Sequence, residues 1–313
     1  MVITSTARIG DSFFPFEIVR RPPPSVLIRL VRWSEIVFHN NISLRVAWPL
    51  LFIRRPWVIA HHQWFSRPDN SVGLRDHAKQ FLLRFSTNIA ISQPMADHLS
   101  TPSVIIPNPY RNEVFKRDDK VRRDQDLLFV GRLVPDKGVD LLFEAMNQLR
   151  KDNLRPKLTV IGTGPAEGAL RGQVERLQLA DQVEFIGPRT GQKLVEELNR
   201  HQVIVVPSRF EEPFGLVAIE GVACGCRAIV AACGGLKSVL GPLAILFETG
   251  NSVALAKAIK ETFKGSFDWE SYWCSADEWI RVYHANRIAL RYLDVFEEAL
   301  RSRPATVRRD LAL

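Results

Sequence analysis

The chain has 313 residues, a length that predicts two domains of ordinary size. Charged residues make up 24% and hydrophobic residues 46% of it, an ordinary globular composition that excludes a disordered or fibrous protein. The net charge of +8 is uneven, because residues 1–120 hold 16 Lys and Arg against 9 Asp and Glu. Of the 18 glycines, only Gly10 and Gly73 precede Gly131. The chain therefore has a basic, glycine-poor first part and a glycine-rich second part.

Further classes are excluded by simple patterns. No run approaches the ~18 apolar residues of a membrane-spanning helix, and the N-terminus lacks the charged and apolar regions of a secretory signal. The cysteines form no C-x-x-C pair, which favours a reduced protein in the cytoplasm. The basic character alone does not indicate a nucleic-acid-binding protein, because no recognition helix, RNA-binding fold or metal finger is visible. We expect no nucleic-acid partner.

The first part contains short apolar runs in a strand, helix, strand order. EIVFHNN, LRVAWPLLFI and WVIAHHQWF follow one another from Glu35, and NIAIS and SVIIPN predict two further strands. The stretch from Arg111 to Asp126 is polar and highly charged, without apolar periodicity. It predicts a connector between domains.

From residue 127 onward strands and helices alternate regularly. Buried, β-branched strands such as LLFV, KLTVI and VIVVP are each followed by a helical pattern, as in Val139–Arg150. This alternation predicts a parallel, doubly wound sheet. Ligands of such sheets bind beyond the carboxyl ends of the strands, so functional residues are expected directly after strands.

The first motif, GRLVPDKGVD (131–140), follows the strand LLFV. It brings Arg132 and Lys137 to the N-terminus of the next helix, where cations oppose the helix dipole unless an anion is present. Two cations beside unpaired backbone N–H groups predict a phosphate site. On this motif alone, a solvated loop with two surface charges is an equally good interpretation.

The second motif, EEPFGLVAIE (211–220), follows the strand VIVVP. Its helix is apolar almost all round and yet carries Glu220, and an unpaired buried carboxylate is costly. The hydroxyl groups of a ribose would satisfy Glu220, and Glu212 could accept hydrogen bonds from a second polyol. Gly215 permits close backbone approach where the helix begins. A capping or surface role explains Glu212 well and Glu220 poorly.

Weaker signals lie elsewhere. GTGP (162–165) lacks the dinucleotide fingerprint and predicts a tight strand-to-helix turn, and CGGL (233–236) is another glycine-rich loop after a strand. His61 and His62 end a strand in the first part. A histidine in such a place is more often structural than catalytic, so these two only mark a candidate.

Together, GRLVPDKG, GTGP, VEFIG and PSRFEEPFGLVAIEGVACGCRAIV, with the paired glycines that follow, resemble the family 4 retaining glycosyltransferases (glycosyl transferases group 1). The resemblance runs from about residue 85 to 285. It implies an α/β protein of the GT-B fold, with two Rossmann-like, doubly wound domains that face a cleft and an incomplete N-terminal domain. The implied boundaries are an acceptor-side domain over 1–118, a nucleotide-sugar domain over 119–268, and C-terminal helices over 269–313 that cross back to the first domain.

The resemblance also implies roles for residues. Arg132 and Lys137 would hold the donor diphosphate, Glu220 the ribose and Glu212 the transferred sugar, and His62 (or His61) would lie beside that sugar. Catalytic residues would be Glu212, His62, Arg132 and Lys137. Donor-binding residues would be Gly131, Arg132, Lys137, Phe214, Gly215, Leu216 and Glu220.

The implied reaction transfers a hexose-type sugar from a UDP- or GDP-type donor with retention at the anomeric carbon. It needs no metal and no cofactor, because cations and helix N-termini stabilise the departing diphosphate. The acceptor would be a glycan or a lipid-linked carrier in the synthesis of cell-surface polysaccharide or glycolipid. Basic charge and the tryptophans at 33, 48, 57 and 64 would suit contact with an anionic membrane at its inner face. Core tryptophans and solvated arginines explain the same residues equally well.

Two departures from the family pattern keep a second hypothesis open. No strand and glycine-rich loop precede Ser34, and Lys237 and Ser238 stand where the family has an acidic residue. The alternative is a truncated, weak or inactive relative that only binds nucleotide sugar.

Overall fold

A computed structural model describes residues 1–4, 15–65 and 73–302. Gly10 and the end of the predicted C-terminal helical segment lie outside the described residues. Contacts between residues divide the chain into two units, which are discontinuous in sequence. The first unit comprises Met1–Ile89, Leu99–Val104 and Tyr292–Leu313, and the second comprises Ala90–His98 and Ile105–Arg291.

In the first part of the chain, the described residues form six strands and four α-helices. The strands are β1 (Val2–Thr4), β2 (Ile18–Arg20), β3 (Val37–Asn40), β4 (Trp57–His61), β5 (Thr87–Ala90) and β6 (Ser103–Ile105). The helices are α1 (Pro24–Trp33), α2 (Leu44–Ala47), α3 (Leu74–Leu82) and α4 (Gln93–His98). Strands β3 to β6 form one sheet in chain order, and β1 pairs with β2 in a separate parallel sheet. The expectation that no strand precedes Ser34 is therefore wrong.

Strand β4 is the centre of the first unit's core. All five of its residues are buried, and it pairs in parallel with β3, with Val37 opposite Trp57. The Trp57 indole N–H donates to Nδ1 of His39 at 3.1 Å, which satisfies both buried polar groups. Trp57 is therefore a core residue, which agrees with the second of the two interpretations of the tryptophans.

The rest of the chain continues the alternation of strands and helices. The strands are β7 (Gln125–Val130), β8 (Leu158–Ile161), β9 (Val183–Gly187), β10 (His201–Val206), β11 (Arg227–Ala231) and β12 (Ala244–Phe247). The helices are α5 (Val139–Lys151), α6 (Glu167–Arg176), α7 (Gln192–Arg200), α8 (Leu216–Ala223), α9 (Leu236–Leu240), α10 (Ser252–Thr262), α11 (Trp269–Ile280) and α12 (Ala285–Arg301).

The six strands of the second unit form one sheet in the order β12-β11-β10-β7-β8-β9. Every pair in it is parallel, as between Val203 and Leu127 or between Val203 and Arg227. The order runs outward in both directions from the β10–β7 pair. That pair is the topological switch point, where ligands of open parallel sheets bind. The predicted α/β, doubly wound fold is confirmed for this unit.

Helices pack on this sheet in two groups: α5 contacts α6 and α10, whereas α8 contacts α9 and α11. The packing of α8 is especially close, because a Cβ on Gly221 would lie 2.8 Å from a methyl carbon of Ile204 in β10. This contact fixes the helix that carries Glu220 against the sheet. Among the described residues, no helix has the length and apolarity needed to cross a bilayer.

Candidate functional site

The loops after β7 and β10 meet at the switch point of the second unit. The backbone N–H of Arg209 donates to the Asp136 carbonyl at 2.8 Å, and the Arg209 side chain pairs with Asp140 at 2.7 Å. Gly138 has a φ of 67° and passes so close that a Cβ would lie 2.0 Å from the Pro207 carbonyl oxygen. Only glycine permits this backbone conformation and this approach. The two loops therefore form one connected structure.

Lys137 and Glu212 form an ion pair across these loops. The Lys137 ammonium contacts Oε1 of Glu212, and the Ser208 hydroxyl donates to the same oxygen at 2.8 Å. Oε2 of Glu212 receives no hydrogen bond from the described residues. Because an ammonium has three donors, Lys137 can still bind an anion while it holds Glu212. The pair leaves one carboxylate oxygen and further N–H groups for a ligand.

Arg132 differs from Lys137 although it lies in the same loop. Its side chain is exposed and makes no hydrogen bond or ion pair with any described residue. It follows β7 directly, at the carboxyl end of a central strand. A guanidinium held there is suited to a phosphate, whose oxygens match its parallel N–H donors.

Neighbouring loops support this edge from both sides. The GTGP segment forms the predicted tight turn, since Gly162 has a φ of 145° and a Cβ there would lie 1.8 Å from the Gly131 carbonyl oxygen. After β11, the N–H of Gly235 donates to the backbone carbonyl of Glu212 at 2.7 Å. The edge of the sheet at which the strands end (the carboxyl edge) is thus built largely from backbone groups in direct contact.

Glu220 lies in the second turn of α8, between buried neighbours on the helix. Burial raises the pKa of its carboxyl to about 7, and the positive charge of Arg111 opposes this rise. The carboxyl makes no hydrogen bond with any described residue. A partly buried acceptor without a partner is costly. A ligand with hydroxyl donors would remove that cost.

The segment before α8 offers backbone rather than side chains. Phe214 is 4% exposed and its ring packs edge-to-face on Tyr283, so its side chain belongs to the core. The helix begins after Gly215 without a side-chain cap. The N–H groups of Leu216 and Val217 are therefore available to an acceptor group, whereas that of Ala218 donates to the Gly215 carbonyl at 3.0 Å.

The two histidines of the first unit are in different surroundings. His61 is buried, its Nε2 lies 3.0 Å from Oδ1 of Asn88, and burial lowers its pKa. His62 is partly exposed, and its backbone N–H donates to the Asn41 side chain at 2.8 Å. His61 is therefore a buried, hydrogen-bonded residue of the core, whereas His62 is accessible to solvent.

Two residues of the site were not singled out from the sequence: Ser208 contacts Glu212, and Arg111 acts on the charge of Glu220. Ser208 follows β10 closely, and this position is the signal that could have found it. Ser92, a weak candidate in the sequence because it follows a strand, donates its hydroxyl to the Pro213 carbonyl at 2.6 Å. Within the described residues, no group of three or more His, Cys, Asp or Glu side chains could hold a metal ion.

Solved structures identify the class of fold. A glycosyltransferase from Rickettsia africae matches with a TM-score of 0.75 and 15% identity, over 91% of this chain and 86% of that chain. Anabaena HepE, solved in complex with UDP-glucose, matches with a TM-score of 0.73 and 20% identity, over 90% of this chain and 85% of that chain. The predicted GT-B class, with Rossmann-like parallel sheets, is confirmed by these matches and the observed topology.

The family follows from the sequence comparison. The model of the family described as "Glycosyl transferases group 1" matches residues 111–272, just over half of the chain. The chain belongs to this family. D-inositol 3-phosphate glycosyltransferase of Geodermatophilus obscurus is 34% identical over 183 residues, which are 51% of this chain and 40% of that protein. Matches to the first curated relatives span between 27% and 48% of their lengths.

Proposed function

We propose that this chain is a metal-independent glycosyltransferase that moves a hexose-type sugar from a UDP- or GDP-type donor, with retention at the anomeric carbon. One observation carries the proposal: three charged side chains and the backbone N–H groups at the start of α8 follow the strands at the switch point of the second unit. Arg132 and Glu220 have no hydrogen-bond partner among the described residues, and Lys137 contacts Glu212. Membership of the glycosyl transferases group 1 family supports it. The likeness to HepE, which was solved with UDP-glucose, supports this class of donor.

The diphosphate would bind to Arg132 and Lys137. Arg132 has all its donors available, and Lys137 retains donors beyond its contact with Glu212. The unpaired N–H groups at the start of α8 add partial positive charge. As the bond from the anomeric carbon to the diphosphate breaks, these groups would stabilise the negative charge on the leaving oxygens. They would thereby supply what a metal ion supplies in other transferases.

The two carboxylates would orient the rest of the donor. Glu220 would accept hydrogen bonds from the ribose hydroxyls, which would end its lack of a partner. Oε2 of Glu212 would accept from a hydroxyl of the transferred sugar while Oε1 stays bound to Lys137 and Ser208. His62, which the family resemblance assigns to the sugar, keeps that proposed role.

The acceptor would be a glycan or a lipid-linked carrier, met at the cytoplasmic face of a membrane. The first unit supports membrane contact, because Trp33 is 68% and Phe52 is 79% exposed, and the exposed Arg32 and Arg54 lie one and two positions from them in sequence. Exposed aromatic side chains with adjacent cations suit the interface of an anionic bilayer.

A panel of nucleotides and nucleotide sugars in thermal-shift assays would identify the donor. The matching donor should then lose its sugar to an acceptor or to water, equally fast with and without EDTA, and the NMR spectrum of the first-formed product should show retained configuration. Loss of the reaction in EDTA would contradict metal independence. Tight donor binding without transfer or hydrolysis would instead support a binding-only relative.

A further inference from the structure

A pocket lies at the edge of the second unit's sheet where β7 and β10 begin (the amino edge). The candidate donor site, around Arg132, Lys137 and Glu220, lies at the other ends of these strands. Its volume of about 710 Å³ is within the ~300–1,000 Å³ of small-ligand sites. It is lined by the segment before β7, by Gln202 at the start of β10, and by α11. Because β7 and β10 have six residues each, roughly 20 Å separates this amino edge from the candidate donor site.

One face of α11 forms the wall of this pocket. Residues 269, 270, 273, 274 and 277 line it, and their spacing of three to four places them on one side of a helix. The residues between them pack inward: Tyr272 donates to the Cys226 carbonyl at 2.8 Å, and Ala276 is buried. Trp269 and Trp273 lie on the same side of α11 as the buried Ala276 and Ile280, and the Trp273 indole N–H donates to the Gly225 carbonyl at 3.1 Å. Their rings therefore continue the packing of the core out to the wall of the pocket.

The cations of the pocket are already engaged. Arg117 pairs with Asp119 at 2.7 Å and lies 4.4 Å from the centre of the Trp273 ring. Arg123 donates to three backbone carbonyl oxygens, among them that of His201 at 2.9 Å. Both lining cations therefore have partners in the protein, and four carboxylates, those of Asp118, Asp119, Glu270 and Asp277, line the same pocket. A phosphate or another anion would meet this excess of negative charge.

The available polar groups are mainly acceptors. The carboxylates of Glu270 and Asp277 and the amide of Gln202 make no hydrogen bond with any described residue. Acceptors of this kind take hydroxyl or ammonium donors. The Trp273 ring is already covered by cations, since Arg117 lies 4.4 Å and Arg123 5.7 Å from its centre, so Trp269 is the ring that a ligand would meet.

Trp269 supplies an apolar platform beside these acceptors. Its partly exposed ring is held by Phe267 at 5.0 Å and by Trp273 at 5.6 Å between ring centres. A rigid indole gives contact area at little entropic cost. A pyranose ring presents an apolar face of C–H groups and an edge of hydroxyl donors, which matches an indole next to carboxylates.

We propose that this amino-edge pocket is a binding site for a neutral glycan, distinct from the candidate donor site. Such a site would hold a glycan chain on the second unit independently of the sugar-transfer chemistry. Nucleotide is not needed for the binding, so the proposal can fail or succeed without the proposed function.

Cys274 is the reporter for the test. It is exposed on the pocket wall, whereas the other three cysteines, Cys224, Cys226 and Cys233, are buried. The rate at which a maleimide alkylates Cys274 is measured by mass spectrometry, without nucleotide. The probes are neutral hexasaccharides of glucose, mannose and galactose in both anomeric linkages, and a lysine-rich peptide, all at millimolar concentration. At least one hexasaccharide should slow alkylation about tenfold.

Two variants separate binding from a general change in the fold. Trp269→Ala should remove the protection, while Trp33→Ala, at an exposed tryptophan of the first unit, should keep it. If Trp269→Ala does not fold, E270Q/D277N decides, because it leaves all ring contacts intact and should weaken protection about tenfold through its two lost charged acceptors.

Three results would overturn the proposal. They are the absence of protection by every hexasaccharide, protection that persists in both the folded Trp269→Ala and the E270Q/D277N proteins, and protection by the lysine-rich peptide alone. The last result would indicate a cationic peptide as the ligand.

Discussion

The two edges of the second unit's sheet are built by different means. The carboxyl edge is made of backbone in close contact, with Gly138 and Gly162 in conformations that only glycine adopts readily. The amino edge is made of side chains, with Trp269, Trp273 and Arg117 stacked or paired on one another. Backbone contacts restrict the conformations that a loop can adopt. In a pocket lined by side chains, each substitution changes the shape and the charge of the pocket.

The difference separates shape from chemistry. At the carboxyl edge, glycines set the path of the loops and only a few charged residues face the ligand. At the amino edge, the same side chains both form the walls and make the contacts. Substitutions of the glycines at the carboxyl edge should therefore affect folding most, whereas substitutions of the charged residues at either edge should affect mainly binding. The following predictions test this comparison.

The largest effect is expected from Gly162→Ala. Its Cβ would lie 1.8 Å from the Gly131 carbonyl oxygen, at a φ of 145°. Chemical denaturation should show a loss of unfolding free energy of about 3 kcal/mol or more. Gly168→Ala is the matched control, because Gly168 lies in α6 with nothing within 4 Å of its added Cβ. That variant should be as stable as the parent or more so; equal losses in both would refute the backbone argument.

The next effect concerns the two cations of the first motif. R132A/K137A should weaken nucleoside diphosphate binding at least about 100-fold, since two charge-assisted contacts are lost. The nucleoside itself should bind nearly as before. Calorimetry with nucleoside, monophosphate and diphosphate measures the difference, and E270Q/D277N at the amino edge serves as a control with an equal number of charges removed. An unchanged preference for the diphosphate would exclude these residues from the phosphate site.

Glu220→Gln should weaken nucleotide binding while it stabilises the ligand-free protein. Loss of the charged acceptor should weaken nucleotide binding about tenfold at pH 8. Stability should move the other way: the folded pKa of about 7 exceeds the ordinary value of 4.5, so wild-type stability is lost as pH rises through 7. The glutamine has no charge to bury and should stabilise the ligand-free protein by on the order of 1 kcal/mol above pH 7. Thermal melts at pH 5 and 8 test this, and equal melting differences at both values would contradict it.

The smallest effect is the pH dependence of donor binding. If the ionised Glu220 accepts the ribose hydroxyls, affinity for a nucleotide-diphosphate sugar should rise about tenfold between pH 6 and 8, around the pKa of about 7. The sugar-linked diphosphate does not titrate in this range, so the carboxyl is responsible. Glu220→Gln provides the comparison, and a parallel pH dependence in that variant would assign the titration to another group.

Much of the carboxyl edge could be predicted from the sequence because its signals are local. A buried strand, a glycine and a charged residue stand within ten positions of each other, so Arg132, Lys137 and Glu212 could each be assigned to a strand end. The pairing of Lys137 with Glu212 could not, since 75 residues separate them and only the strand order brings them together. Nor could the sequence distinguish His61 from His62.

The amino-edge pocket could not be predicted for the same physical reason. Its walls come from a connector, from the start of one strand and from a helix near the end of the chain, as with Arg117, Gln202 and Trp269. No segment carries enough of it to form a motif. Trp269 and Trp273 stand at helical spacing from the buried Ala276 and Ile280, so in the sequence they fit an ordinary core pattern.

The links between the loops after β7 and β10 have a thermodynamic consequence. Lys137, Ser208 and Glu212 are joined, and Arg209 binds both Asp136 and Asp140, so the protein's own residues order these loops. The conformational entropy of these loops is therefore lost during folding rather than during ligand binding. A site that is ordered in advance retains more of its contact energy as affinity. Glycines that fix the loop path and ion pairs that join the loops thus contribute to binding without touching the ligand.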